Sequence, residues 1–175
     1  MKKILSLIFI IATLFSFVGC TEKAPEVNVP VKDIVASIKE QMIKDMKAAG
    51  VPEDMFKDGD LPRYMETDLT SEGQDPISKL FNKEDLEGGI VLQQMMNVKS
   101  DLIIVLKAKD ESSIDNLKAS LEEVKKQQEN IWSTYLPDQY EKVKNNIIKV
   151  EGNYLVYITY DNPENIITVF NNTLK

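Results

Sequence analysis

Two pairs of β-prone runs, each closed by a short turn-forming segment, bracket the clearest helix signal in the chain. The first pair is Ile90 to Met96 and Leu102 to Ala108, separated by Asn97-Val98-Lys99-Ser100-Asp101. The second is Ile147 to Val150 and Tyr154 to Tyr160, separated by Glu151-Gly152-Asn153. β-Branched and aromatic runs joined over so few residues pair as antiparallel hairpins. Between the pairs, Ile114, Leu117, Leu121, Val124, Gln128 and Ile131 recur at three- and four-residue steps, and Asp110 or Ser112 stands ready to cap the helix. Two hairpins joined by a helical crossover make a four-stranded antiparallel sheet with helices packed against a face, an α+β sandwich. Leu102 to Ala108 begins almost wholly apolar, which places it inside the sheet rather than at its edge. In the last run both Tyr154, Val156, Ile158 and Leu155, Tyr157 supply apolar bulk, so that strand is expected to be covered on both faces.

Four further helices follow from local signals. Val31, Ile34, Val35, Ile38, Met42 and Met46 fall on one helical face, Gly50 suits a left-handed cap, and Pro52 forbids continuation. Pro137 opens a short helix to about Asn145. Asn162-Pro163-Glu164 starts a terminal helix whose apolar side is Ile166, Ile167, Phe170 and Leu174. Pro52 to Gln74 is irregular and reads as a surface loop with one short strand around Arg63 to Leu69. Asp75-Pro76 predicts a short helix through Phe81, extending toward Leu86, and Gly88-Gly89 predicts a break before the first hairpin.

Ahead of this domain stands MKKILSLIFI IATLFSFVGC. Lys2 and Lys3, an apolar run from Ile4 to Val18 and the small Gly19 are the parts of an export signal. At about 1.5 Å per residue the run reaches only ~22 Å as a helix, short of the ~30 Å hydrocarbon thickness. Phe17-Val18-Gly19-Cys20 resembles the lipobox of bacterial lipoproteins, with Phe17 where leucine is usual. That resemblance implies cleavage between Gly19 and Cys20 and lipidation of Cys20, the only cysteine in the chain. An exported domain has no use for an unpaired thiol in a disulfide, and two acyl chains on one residue would anchor it stably. Thr21 to Pro30, polar and proline-containing, reads as the tether. The expected organisation is a signal peptide at 1–19, a lipidated tether at 20–30 and a single α+β domain at 31–175, on the outer face of the cell membrane.

Charge and missing residue types narrow the function. The chain holds 28 acids against 21 lysines and arginines, and loss of Lys2 and Lys3 with the signal takes the net charge from -7 to -9. Such a surface is repelled by phosphate backbones, so nucleic acid is not an expected partner. Histidine is absent, and the sole cysteine is assigned to lipid. Ser-His and Cys-His nucleophiles, His-ligated zinc and thiolate metal sites therefore have no residues to build them. No cofactor or metal is expected. The acids of the irregular region do not make a calcium loop, because Phe56 occupies a required ligand position.

The candidate interaction surface is the aromatic group Trp132, Tyr135 and Tyr140 around Leu136-Pro137. Such a group serves as a stacking platform or, more ordinarily, covers the end of a core with its polar tips in water. The expected function is non-catalytic binding of an envelope protein or a wall polymer. The alternative is a carboxylate-dependent enzyme acting on envelope glycans, using a pair among Glu53, Asp54, Asp58, Asp60 and Glu66. A two-lobed solute receptor needs more chain than one domain of this length supplies.

At Tyr135-Leu136-Pro137, and again at Gly152-Asn153-Tyr154 with the strand running to Asp161, the chain resembles small exported lipoproteins of Gram-positive bacteria, the domain of unknown function 4358 family. The resemblance covers roughly Leu80 to Leu174. It implies an α+β domain behind a lipid anchor and brings no catalytic residue with it.

Overall fold

The computed structural model of the protein describes residues 28–72 and 75–175. The expected signal at 1–19, Cys20 and the expected tether as far as residue 27 lie outside the described residues. The architecture is α+β: one antiparallel sheet with four α-helices. In chain order these are α1 (Val31–Ala48), β1 (Tyr64–Asp68), β2 (Leu86–Gln94), β3 (Leu102–Ala108), α2 (Glu111–Trp132), α3 (Pro137–Lys144), β4 (Ile147–Glu151), β5 (Tyr154–Thr159) and α4 (Pro163–Thr173).

The sheet has five strands rather than the expected four, in the order β1-β2-β3-β5-β4. The short strand expected within the irregular region is its fifth member: β1 pairs antiparallel with β2, Glu66 opposite Leu92. Its sequence, YMETD, carries no apolar run because an edge strand needs none, and polar edges resist pairing with other chains. The two predicted hairpins are present as β2–β3 and β4–β5, and β3 joins them by pairing with β5, Lys107 opposite Tyr154 and Leu102 opposite Thr159.

Helices cover both faces rather than one. α1 and α4 pack over Ile90, Leu92, Ile103, Val105, Tyr154, Val156 and Ile158. On the other face, Leu117, Leu121 and Val124 of α2 pack over Val91, Ile104, Leu106, Leu155 and Tyr157. β3 and β5 are buried at every position, the pattern that their unbroken apolar runs require. Burying each such Leu, Ile or Val contributes about 1.5–3 kcal/mol.

Two local expectations fail for tertiary reasons. Gly88-Gly89 does not break the chain but lies within β2. A Cβ on Gly88 would sit 2.9 Å from Val31 Cγ2, and one on Gly89 would sit 3.1 Å from Leu69 Cδ1 and 3.2 Å from Leu106 Cδ2. The glycines let α1 and the end of β1 lie close on the sheet. The register slips between Leu86 and Gly88, a bulge with Glu87 as the extra residue. The helix expected from Pro76 is instead two 3-10 turns, Ser78–Leu80 and Lys83–Asp85, with Phe81 extended between them. That path buries Ile77, Phe81 and Leu86 against the α2 side of the core.

Candidate interaction site

The described chain enters the domain at one end of the central strands. The Val29 N–H donates to Tyr154 Oη at 2.7 Å, and the Tyr154 hydroxyl donates to the Val29 carbonyl at 2.8 Å. Lys107, on β3 directly opposite Tyr154, donates to Asn28 Oδ1 at 2.7 Å and to Glu87 Oε1 at 2.5 Å. Its ammonium lies 5.6 Å from the centroid of the Tyr154 ring. Lys107 is 5 % exposed, a burial that an amine tolerates only with hydrogen-bond partners such as these. The β2 bulge has a consequence here, because it offers Glu87 to this lysine. A groove of about 360 Å³ beside the clamp is lined by Asn28, Lys32, Asp68, Thr70 and Gly88 among others. Hydrogen bonds from Thr70, the largest influence, hold the Asp68 carboxyl below the usual carboxylate range.

The other end of the same strands, about 17 Å away at the rise of a β-strand, carries a groove of similar volume. Met65 on β1, Gln93 and Gln94 at the end of β2, Met95, Met96, Asn97 and Lys99 of the β2–β3 loop, and Trp132 at the end of α2 line it. Trp132 is buried and hydrogen-bonded through Nε1 to Gln128 Oε1 at 3.1 Å. Its ring lies 5.8 Å from that of Tyr135, tilted by 49°. The third predicted aromatic, Tyr140, is half-buried on α3 with Lys144 5.4 Å over its ring. The structure thus brings Trp132 and Tyr135 together beside a methionine groove and gives Tyr140 a different neighbour.

The loop bearing Met95, Met96 and Lys99 is held by buried polar contacts. The Ser100 N–H and hydroxyl donate to Gln139 Oε1 at 2.9 and 3.1 Å. Lys142 of α3 binds Asp101 Oδ1 at 2.6 Å and Asp161 Oδ1 at 2.5 Å, while the Tyr64 hydroxyl donates to Asp101 Oδ2 at 2.8 Å. The Lys142 and Asp101 side chains are only 11 % and 8 % exposed. Burial by itself would lower Lys142, but Asp101 and Asp161 outweigh it and hold the ammonium above the ordinary lysine range. Burial, reinforced by the Asp101 charge, pushes the Tyr64 phenol well above its usual value. At neutral pH Lys142 is an ammonium and Tyr64 a neutral phenol, and their contacts to Asp101 fix the loop.

Residue patterns pointed to the aromatics but not to the methionines. One signal was present: in adjacent positions ending a strand, Met95 and Met96 cannot both face the core, because side chains alternate. Arg63, the only arginine in the chain, gave no sequence signal. It adopts φ 65°, accepts the Met95 N–H on its carbonyl at 2.8 Å, and reaches Met96 Sδ with Nη1 at 3.1 Å.

Of the acids weighed as a catalytic pair, Glu53 is exposed and joined to Lys47 at 2.6 Å, and Asp54 is exposed. Asp58's side chain lies outside what the structure describes. Asp60 and Glu66 share a groove of about 230 Å³, where Lys39 stands 3.7 Å from one and 3.1 Å from the other. Among the described residues no three carboxylates gather as a cation site, and no helix is long and apolar enough to cross a membrane.

Comparison with known families matches residues 64–160 to a domain of unknown function (DUF4358). No curated protein and no solved structure matches the chain. The matched segment opens on the first residue of β1 and closes just beyond β5, so it holds all five strands with α2 and α3, and leaves α1 and α4 outside. By a match that takes in the whole sheet and more than half of its length, the chain belongs to the DUF4358 family.

Proposed function

We propose that the protein is a lipid-anchored, extracytoplasmic envelope protein whose folded domain is a non-catalytic interaction module. One observation carries the reading. The last residues of the proposed tether, Asn28 and Val29, are clamped to one end of the sheet by Tyr154 and Lys107. The groove of Met65, Met95 and Trp132 lies at the opposite end. A domain attached through Cys20 would therefore hold its clamped end toward the bilayer and its methionine groove away from it. The partner in this reading is another envelope protein or a wall polymer.

Radiolabelled palmitate fed to cells should enter the wild-type protein and not Cys20→Ala, and the mature wild type should begin at a modified Cys20. Label in the variant, or wild-type protein free in the medium with an unmodified first residue, would remove the anchor from the reading.

The second reading, a carboxylate enzyme acting on envelope glycans, draws on Asp60 and Glu66 sharing a groove. It ranks lower because a lysine stands between them and Asp60's side chain is 82 % exposed, whereas a general acid needs an environment that keeps its proton. Hydrolysis of purified wall glycan by wild type, lost in Asp60→Asn with Glu66→Gln, would reverse the ranking.

A further inference from the structure

Three features of the far groove coincide. Met65, Met95 and Tyr135 are 41, 63 and 51 % exposed, so large apolar and polarizable side chains meet water together. Methionine surfaces of this kind repack around varied apolar partners. The polar lining is amide rather than carboxylate: Gln93, Gln94 and Asn97 offer both donors and acceptors. The flanking charges, Arg63 and Lys99, are exposed and positive, and among the described residues neither pairs with a carboxylate. Arg63 instead turns its guanidinium to Met96 Sδ, a weak acceptor. Two cations without a carboxylate partner thus flank the exposed methionines at this end of the sheet.

We propose that this groove docks an acidic segment of another protein, seating a large apolar side chain of that segment among Met65, Met95 and Trp132 while Arg63 and Lys99 meet its carboxylates. The Lys142–Asp101 and Ser100–Gln139 contacts hold the loop ready, so little ordering is required on binding. A second copy of this chain fits less well: a two-fold contact through the patch would set the same cations against each other. An anionic bilayer fits the cations, but the groove is at the end of the sheet opposite the clamped entry. The proposal deepens the interaction-module reading and depends on it for where the partner resides, not for what the groove recognises.

The test uses the full chain in a non-ionic detergent and two fluorescein-labelled linear peptides of equal length, one of Glu and Leu, the other of Lys and Leu. Fluorescence anisotropy should show the Glu-Leu peptide binding at least about tenfold more tightly than the Lys-Leu peptide, the scale expected for two close charge pairs. Arg63→Glu with Lys99→Glu should invert that preference, and Met95→Asp should weaken both peptides without altering the near-ultraviolet spectrum. Lys99→Glu alone serves if the double variant does not fold, and should at least halve the preference. Equal binding of the two peptides, or a preference unmoved by charge reversal, overturns the proposal. So does flotation with phosphatidylglycerol vesicles that Met95→Asp abolishes, or a dimer in sedimentation that the same change dissociates. Palmitate labelling at Cys20 affects none of these outcomes, so loss of the anchor and loss of the docking site are separate results.

Discussion

Tyr154 and Val29 exchange two hydrogen bonds across 125 positions of sequence: the phenol donates to the Val29 carbonyl and accepts from the Val29 N–H. The Tyr154 ring is buried against the α1 and α4 side of the core, so the two bonds tie the chain's entry to a rigid strand. Tyr154→Phe keeps the ring and removes both bonds. We expect a loss of about 1–3 kcal/mol in urea unfolding, part of it the cost of an unsatisfied backbone group. Hydrogen exchange should quicken at the Val29 amide while the β3 amides keep their protection. Unchanged exchange at Val29 would show that the clamp does not hold the entry.

Gly88 is constrained by Val31 rather than by its own backbone. Gly88→Ala should cost about 1–3 kcal/mol, because the new methyl overpacks the first turn of α1. Val31→Ala alone should also destabilise, by loss of buried apolar contact. Together the two changes should cost less than their sum, which a double-mutant cycle measures directly.

The buried pair of Lys142 and Asp101 makes a pH-dependent contribution. Lys142→Met leaves Asp101 without its cation and should cost about 2–4 kcal/mol at neutral pH, with part of the penalty relieved in Lys142→Met with Asp101→Leu. The folded-state value of Lys142 is raised above its ordinary 10.5. Its contribution is therefore complete below that value and is lost as pH climbs through the higher folded value. Wild type and Lys142→Met should keep a constant gap in melting temperature up to about pH 10 and converge above it.

Asp110 caps α2, accepting from the Ser113 N–H at 2.9 Å and the Ser112 hydroxyl at 2.7 Å. Those bonds, the Ser112 one foremost, hold its carboxyl below the ordinary 3.8. The stabilisation is present above 3.8 and disappears as pH falls through the lower folded value. Asp110→Ala should lower the melting temperature at neutral pH, Asp110→Asn much less, and the deficit of Asp110→Ala should shrink in strong acid. Thermal melts at matched ionic strength decide it.

How far the sequence was readable varies with where each signal arises. The two hairpins, the central place of β3 and the four α-helices were legible because each rests on short-range periodicity and caps: the Leu117, Leu121, Val124 stripe, Pro137, Asn162-Pro163. β1 was legible as a short strand but not as part of the sheet, since nothing in YMETD marks its pairing with β2. Gly88-Gly89 predicts a break because glycine usually punctuates, whereas in the fold it makes room for Val31 and Leu69. Of the aromatic group Trp132, Tyr135 and Tyr140, the first two are neighbours in space and Tyr140 packs under Lys144 instead. The methionines and Arg63 that share their end of the sheet come from segments more than thirty positions away in sequence, and only the folded sheet places them together.

The sequence by itself determined the α+β class, the antiparallel hairpins and the chemistries ruled out by the absence of histidine, because all of these depend on residue type and near neighbours. Tertiary structure alone decided the pairing of β1 into the sheet, the Tyr154–Val29 clamp and the groove of Met65, Met95 and Trp132. Each of those is a contact between distant segments, and a contact of that kind exists only once the apolar faces have been buried against one another.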